Sequence, residues 1–178
     1  MAISFRPLAV TDLENVVRWM LDDDVQRWWY PEGTSETEIR AEYEPSTQSE
    51  SHGLHKTARY IVDVDGHDIG LAQWHFGDYP EYASEVQSSG SAWVDVLIGL
   101  PEWRNRGLGS ELTSQFVHEI VFADPTIQRC AIDPDPENGP AIRAYEKAGF
   151  RHARTYRSET DGLSAYLMVL ERPLPKIT

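Results

Sequence analysis

Apolar residues recur along this chain at two spacings, one typical of helices and the other typical of strands. Near the N-terminus a helical stripe is formed by Leu13, Val16, Val17, Met20 and Leu21. A capping box at positions 11–14 predicts where that helix begins. Between positions 59 and 76, two apolar segments flank Asp65-Gly66, a pair typical of a two-residue hairpin turn. The first part of the chain therefore predicts a strand-forming hairpin preceded by an amphipathic helix.

The later segments continue this mixture of strands and helices. Further strands are predicted at positions 3–8, 93–98, 127–132, 150–158 and 164–170. Further helices are predicted at positions 35–43, 108–122 and 139–148, and the polar stretches 44–56 and 77–90 are predicted to be irregular. No repeat and no low-complexity tract marks a boundary. We therefore expect one α/β domain over residues 1–178, with a mixed central sheet flanked by helices.

A glycine-containing turn joins the strand at 93–98 to the helix that follows it. The turn reads Arg104-Asn105-Arg106-Gly107-Leu108-Gly109. Glycines let the backbone approach a ligand closely, and the first amides of the next helix point free N–H groups outward. Arg104 and Arg106 add positive charge. The turn predicts a phosphate or pyrophosphate site, with a plain strand–turn–helix corner as the alternative.

Two other phosphate-binding motifs do not fit this turn. The loop of nucleotide hydrolases ends in Gly-Lys-Ser/Thr, whereas Gly109 is followed by Ser110 and Glu111. The dinucleotide fingerprint needs three glycines at its own spacing, and only two are in place here. The remaining pattern, R-x-x-G-x-G, resembles the acetyl-CoA pyrophosphate loop of the GNAT superfamily of N-acetyltransferases.

A second segment strengthens the resemblance. Residues 138–150 are similar to the other GNAT signature, an Asn followed by a helix that carries Tyr and ends at Gly-Phe. Asn138 suits a helix N-cap, Pro140 suits the first turn, and Gly149 suits a left-handed C-cap. Tyr145 alone could be a core aromatic, but the upstream loop in the right order favours a functional tyrosine. The resemblance implies a GNAT-like fold with acetyl-CoA as cosubstrate.

Composition limits the partners and the compartment. The single cysteine, Cys130, excludes an internal disulfide, fits a reducing cytoplasm and is expected to be a buried structural thiol rather than a nucleophile. The six histidines show no metal-ligand spacing, so no metal site is predicted. No stretch is apolar for the roughly 20 residues of a membrane span, and no signal-peptide pattern is present. We expect a cytoplasmic protein without a membrane partner, and a monomer.

The net charge of −13 also bears on partners. A strongly acidic chain cannot hold a nucleic-acid backbone by counterion release, so no nucleic-acid partner is expected. The acidic residues either aid solubility in general or line a cleft that attracts a cationic substrate. Their grouping in predicted loops favours the second explanation, with Asp78, Glu81 and Glu85 in one loop and Asp133, Asp135 and Glu137 in another.

The resemblance narrows to the aminoglycoside 6′-N-acetyltransferases within the GNAT superfamily. The segments that carry it are 18–21, 26–29, 108–125 and 132–138, and the similarity covers roughly residues 5–170. It is weakest at 44–56 and 77–90, where the acceptor would be held. The chemistry is therefore better defined than the acceptor.

This family resemblance implies roles for particular residues. Asp95 matches the proposed catalytic Asp, as the general base or as the group that orients the amine while water takes the proton. Tyr145 matches the proposed general acid near the thioester sulfur, or only hydrogen-bonds that sulfur. The positions that match the cofactor-binding segments are Val96, Leu97, Ile98, Arg104, Asn105, Arg106, Gly107, Leu108, Gly109, Ser110, Asn138, Ala141 and Tyr145.

Acceptor contacts are implied for a further set of residues. Besides Asp95 they are Trp28, Trp29, Tyr43, Asp78, Asp133 and Asp161. Asp133 and Asp161 could instead stabilise turns, and one of the tryptophans could serve helix-end packing.

Three functions remain in view: acetylation of aminoglycosides, acetylation of another amine such as a siderophore precursor or a protein N-terminus, and non-catalytic CoA binding. The third is disfavoured because Asp95 and Tyr145 are both present.

Overall fold

The computed structural model describes residues 1–30, 33–45, 57–76, 90–157 and 162–174. Strands and helices are interspersed within these ranges, and the helix at 23–29 is one that the apolar spacing did not predict. Their bounds are β1 Ile3–Pro7, α1 Leu13–Met20, α2 Asp23–Trp29, α3 Glu36–Tyr43, β2 Thr57–Val64, β3 His67–His75, β4 Ser91–Ile98, α4 Leu108–Gln115, β5 Arg129–Ile132, α5 Gly139–Lys147, β6 Arg151–Arg157 and β7 Ser164–Glu171.

The strands of the described residues form one seven-stranded sheet in the order β1-β2-β3-β4-β5-β7-β6. The central pair, β4 and β5, is parallel, and every other neighbouring pair is antiparallel. Asp65 and Gly66 form the β2–β3 turn with φ angles of 52° and 84°, the left-handed conformation that this two-residue turn requires. The predicted mixed sheet is therefore confirmed.

Helices cover both faces of the sheet, and each face has its own apolar core. On one face Val94 of β4 packs with Leu112 of α4 and with Phe116, which directly follows that helix. On the other face Leu97 packs with Val17 and Met20 of α1. Because successive side chains of a strand point to opposite faces, Asp95 shares the face of Leu97. This places its carboxylate on the α1–α3 side of the sheet.

The beginning of α1 differs from the prediction. A 3-10 turn, Val10–Asp12, precedes the helix. The Asp12 carboxylate accepts a hydrogen bond from the Ala9 amide at 2.9 Å and binds the Arg6 guanidinium at 2.7 Å. The predicted capping box at 11–14 is wrong, because α1 begins without a side-chain capping hydrogen bond and the Asp12 carboxylate instead joins the start of the 3-10 turn to Arg6 of β1.

Two further observations concern the chain as a whole. Among the helices of the described residues, none is long and apolar enough to cross a membrane. Cys130 is a fully buried free thiol in β5, and burial raises its pKa. A buried thiol with a raised pKa is unreactive, which confirms its predicted structural character.

Candidate active site

A cleft of about 810 Å³ opens where the two parallel strands separate. β4 and β5 pair only at their first residues, from Ser91 opposite Arg129 to Trp93 opposite Ala131. Beyond that point β4 continues along β3 to Ile98, whereas β5 ends at Ile132. The separated ends bring Asp95, Tyr145, Asp133 and the glycine turn to one cavity.

The glycine turn shapes one end of this cleft. Gly107 has a φ of 78° and is the N-cap of α4, and Asn105 has a φ of 58°. The left-handed backbone at Gly107 lets the chain turn directly into the helix. A Cβ at Gly107 would meet no atom within 4 Å, so its outer side is open, whereas one at Gly109 would lie 3.3 Å from the Ala144 side chain. Gly109 therefore allows α4 and α5 to approach each other.

All but one of the predicted cofactor positions line this cleft. Those that line the cleft are Val96, Leu97, Ile98, Arg104, Asn105, Gly107, Leu108, Gly109, Ser110, Asn138, Ala141 and Tyr145. Two cations that the sequence did not single out, Arg143 and Lys147 of α5, line it as well. The Arg106 guanidinium lies 5.5 Å from the centre of the Trp103 ring instead.

Arg104 makes contacts within the protein that the sequence did not predict. Its guanidinium donates to the carbonyl oxygens of Ile98 at 3.0 Å and Gly99 at 2.7 Å. The same group pairs with Asp22, the N-cap of α2, at 2.7 Å and reaches Asp24 at 3.4 Å. These partners offset its charge, and the predicted contact of Arg104 with a phosphate stays a prediction. Arg104 links the end of β4 to α2.

Two carboxylates face each other across the separated strands. Gln73 donates its side-chain N–H to Oδ2 of Asp95 at 3.0 Å. The Tyr156 hydroxyl donates to Oδ2 of Asp133 at 3.0 Å. Burial raises the pKa of Asp133 to about 7, and the negative charge of Asp95 adds to the shift. A site that holds two such carboxylates close together is suited to a cationic ligand.

Tyr145 lies beside this pair on α5. Asn138 caps the helix by accepting from the Ala141 amide at 3.3 Å. Gly149, with a φ of 103°, ends it in a Schellman motif, in which the Phe150 amide donates to the Tyr145 carbonyl at 3.0 Å. Burial and the charges of Asp95 and Asp133 raise the pKa of the Tyr145 phenol, so it stays protonated. The capping predicted for this helix is confirmed.

The tryptophans of α2 have different environments. Trp28 lines the cleft and carries the Arg27 guanidinium 4.5 Å from its ring centre. Trp29 also lines the cleft, and its indole N–H donates to the Tyr43 hydroxyl at 3.1 Å. Tyr43 itself is fully buried, as is Ile39 one turn earlier on α3. The prediction of Tyr43 as a wall of the acceptor site is wrong, because this helix face packs into the core.

Sequence reasoning missed Gln73 and Tyr156, the hydrogen-bonding partners of the two carboxylates. Gln73 is a polar residue within the otherwise apolar run 69–74 of β3, and that contrast was the available signal. Tyr156 alternates with charged residues in β6 and gave no such signal. Asp78 and Asp161, which were predicted as acceptor contacts, lie outside the described residues.

The comparison with known proteins agrees with this architecture. Residues 9–158 match the family described as acetyltransferase (GNAT) domain, and the chain belongs to that family. The aminoglycoside N(6′)-acetyltransferase type 1 of Klebsiella pneumoniae is 29% identical over 171 residues, which are 94% of this chain and 82% of the relative.

Solved structures give the same result. A structure of AAC(6′)-Ib in complex with ribostamycin and coenzyme A has a TM-score of 0.83 at 28% identity, covering 97% of this chain and 94% of the other. A second, with paromomycin and acetyl-CoA, has a TM-score of 0.82 at 28% identity and the same coverage of 97% and 94%. The resemblance predicted from the sequence is therefore confirmed.

Proposed function

We propose that this chain transfers the acetyl group of acetyl-CoA to the 6′-amino group of aminoglycosides. The observation that carries the proposal is the pair Asp95 and Asp133, whose carboxylates share a cleft with the N-terminus of α4. Similarity to an aminoglycoside N(6′)-acetyltransferase over 94% of the chain supports the same substrate class. A cationic acceptor and an anionic donor would thus meet between β4 and β5.

The glycine-turn end of the cleft fits acetyl-CoA. The first amides of a helix have no partner within the helix, and Gly107 leaves the space beside them open. The hydroxyl of Thr113, one turn further along α4, is fully buried, lines the cleft and has no hydrogen-bond partner among the described residues. Acetyl-CoA supplies the thioester acetyl group. The chain supplies amides for its pyrophosphate and a hydroxyl deeper in the cleft.

We assign to Asp95 the role of binding the acceptor amine and receiving its proton. An ammonium is not a nucleophile, so one proton must leave before or during attack on the thioester carbonyl. With Oδ2 of Asp95 held by Gln73, the other oxygen is available to hold the ammonium and receive its proton. If water takes the proton instead, the same carboxylate still orients the nitrogen.

We assign Tyr145 to the leaving-group side. Its raised pKa keeps the phenol protonated, and a protonated phenol can donate to a departing thiolate or simply hydrogen-bond it. No covalent enzyme intermediate is needed, because the cleft can hold donor and acceptor together for direct attack. Cys130, the one cysteine of the chain, is buried and takes no part.

Asp133 is assigned to a second ammonium of the acceptor, with Trp28 and Trp29 as surfaces for its sugar rings. Ion pairs with a polycation offset the repulsion between Asp133 and Asp95.

We further propose that the protein acts in the cytoplasm as a monomer, without a nucleic-acid or membrane partner. The acidic net charge of −13 supports the absence of a nucleic-acid partner.

A thiol-release assay tests this function. Purified protein with acetyl-CoA should release CoA in the presence of aminoglycosides that carry a 6′-amine. Matched drugs with a hydroxyl at that carbon should release none, and the KM for a good substrate should rise with salt because exposed ion pairs are screened. Equal turnover of both drug types would contradict 6′ selectivity.

Two further acceptors distinguish the alternatives. Turnover of a hydroxylated lysine or a peptide, with none of the aminoglycosides, would assign the chain to another amine. Acetyl-CoA binding by calorimetry without turnover of any acceptor would assign it to a non-catalytic CoA-binding module.

A further inference from the structure

A row of three polar side chains runs across the sheet from β2 into the cleft. Arg59 of β2 lies opposite Gln73 of β3, and Gln73 lies opposite Asp95 of β4. Arg59 donates through Nε to the Gln73 side-chain oxygen at 3.1 Å, and Gln73 donates through Nε2 to Asp95 at 3.0 Å. Arg59 and Gln73 are only 8% and 9% exposed. Buried polar groups persist when each is satisfied, and here each satisfies the next.

The direction of donation along this row is fixed by chemistry. A guanidinium can only donate hydrogen bonds, so the oxygen of the Gln73 amide must face Arg59. Its NH2 group must then face Asp95. The Asp95 carboxylate can only accept, so it favours the same orientation of the amide. Without the guanidinium the Gln73 oxygen would lose its buried donor and the amide would be held from one side only. Arg59 therefore determines how firmly Gln73 is held and how strongly it donates to Asp95.

Arg59 is itself held by α3. Its guanidinium lies 4.7 Å from the ring centre of Tyr43, which is fully buried. The Tyr43 hydroxyl accepts from Trp29, which lines the cleft. The cation is thus fixed by a ring whose other partner reaches the acceptor side.

We propose that Arg59 is a positioning residue for acetyl transfer, acting through Gln73 to keep the Asp95 carboxylate ionised and directed into the cleft. The proposal rests on the proposed function only in taking Asp95 as the group that receives the amine. A donated hydrogen bond favours the charged form of a carboxyl group. Among the described residues, the titratable groups whose electrostatics involve Asp95 are Asp133, directly after β5, and Tyr145 of α5. Beside these two groups, Gln73 supplies Asp95 with a donated hydrogen bond.

A set of four variants tests this arrangement: Arg59→Met, Arg59→Lys, Gln73→Met and the double variant Arg59→Met/Gln73→Met. With a 6′-amino drug as acceptor, Arg59→Met should lower kcat about tenfold or more. It should also shift the acid limb of the kcat/KM profile upward by about one pH unit, the shift that corresponds to a tenfold change. CoA affinity by calorimetry should stay within about twofold of wild type, because the row does not touch the glycine turn. Arg59→Lys, which keeps a donor-only cation, should recover most of the rate.

The double variant separates positioning from general stability. If Arg59 acts through Gln73, the double variant should have the kcat and pH profile of Gln73→Met alone. Independent, additive losses, or an unshifted pH profile in Arg59→Met, would overturn the proposal. If Arg59→Met does not fold, Arg59→Lys decides: its acid limb should lie between those of wild type and Gln73→Met. Arg129→Met, which removes the ion pair with Glu171 elsewhere in the sheet, is the matched control and should keep wild-type kinetics.

A measurement without an acceptor separates this proposal from the proposed function. Carboxyl ¹³C NMR of protein labelled at aspartate, with Asp95→Asn to assign the signal, follows Asp95 directly. In Arg59→Met its titration should move to higher pH than in wild type. If the titration is the same in Arg59→Met and wild type, the role of Arg59 is refuted, whether or not aminoglycosides are acetylated. If the titration shifts in Arg59→Met but wild-type protein does not acetylate aminoglycosides, only the proposed substrate is refuted.

Discussion

The ionised Asp133 carboxylate lies buried in the cleft near Asp95, where its charge destabilises the folded state. Replacement by asparagine measures this effect on the free energy of unfolding. Asp133→Asn preserves the shape of the side chain and an oxygen for the Tyr156 hydroxyl, but removes the charge beside Asp95. Burial and that neighbour raise the pKa of Asp133 from 3.8 to about 7. One pKa unit corresponds to about 1.4 kcal/mol, so the ionised group destabilises the folded state by at most about 4 kcal/mol. Water in the open cleft will reduce this value.

The sign of the pH dependence follows from the direction of the shift. The folded protein binds the Asp133 proton more tightly than the unfolded chain does. Stability should therefore be lost as the pH rises from about 4 to about 7, by up to about 1.4 kcal/mol per unit, and the loss should be complete above pH 7. The asparagine variant lacks this loss.

Urea unfolding at several pH values provides the measurement. Asp133→Asn should be more stable than wild type at pH 8, and its advantage should shrink steadily towards pH 5. Asp23→Asn, an exposed aspartate on α2, is the control and should show no such trend. An advantage that is equal at pH 5 and pH 8 would refute the reasoning, since it would not come from a titrating group.

The same variant should lose function while it gains stability. A hydrogen bond to a charged group contributes about 1.5–3 kcal/mol, so the aminoglycoside KM should rise about 10–100-fold. Acetyl-CoA affinity should hardly change. An unchanged KM would remove Asp133 from the acceptor site and leave its charge unexplained.

Three further predictions concern the rest of the cleft. Asp95→Asn should reduce turnover about 10²–10⁴-fold, the usual contribution of a general base, and Tyr145→Phe should cost less because a thiolate leaves readily; a wild-type rate for Asp95→Asn from pH 6 to 9 would exclude it as base or orienting group. Gly107→Asp should weaken acetyl-CoA binding at least about tenfold by calorimetry, whereas Gly66→Asp, at a glycine of similar φ in the β2–β3 turn, should not; equal binding by both would move the phosphate site elsewhere. Arg104→Met should raise the acceptor KM, measured by kinetics, more than it lowers CoA affinity, measured by calorimetry, because it releases α2. A larger loss of CoA affinity than rise in KM would instead support a contact between Arg104 and the phosphate.

The features that sequence predicted well are those encoded by neighbouring residues. Asp65-Gly66 forms its turn with the residues that flank it, and Asn138 and Gly149 delimit α5 through backbone groups within one or two turns. Features of this kind can be predicted from the sequence because the interacting groups are close together along the chain. The GNAT resemblance rests on the same kind of segment.

Side-chain partners that meet only in the folded sheet were not predictable in this way. Arg104 pairs with Asp22 across 82 positions, and no pattern around either residue indicates the other. Tyr43 belongs to a short helix whose apolar face contains little besides Ile39, so periodicity did not reveal that it is buried. Gln73 interrupts the apolar run 69–74, and its role becomes clear only when the register of the sheet places it between Arg59 and Asp95.

The burial of Cys130 has a practical consequence for anyone who measures this protein. Its thiol is the one cysteine in 178 residues, is inaccessible in β5 and has a raised pKa, so a disulfide reagent that reacts with thiolates should not detect it in the native state. Free thiol that accumulates during turnover then reports CoA without a background from the protein. A second cysteine placed on the rim of the cleft, for example at Arg27, would be the single reactive position. A fluorophore attached there would follow movement of α2 without first removing a native cysteine.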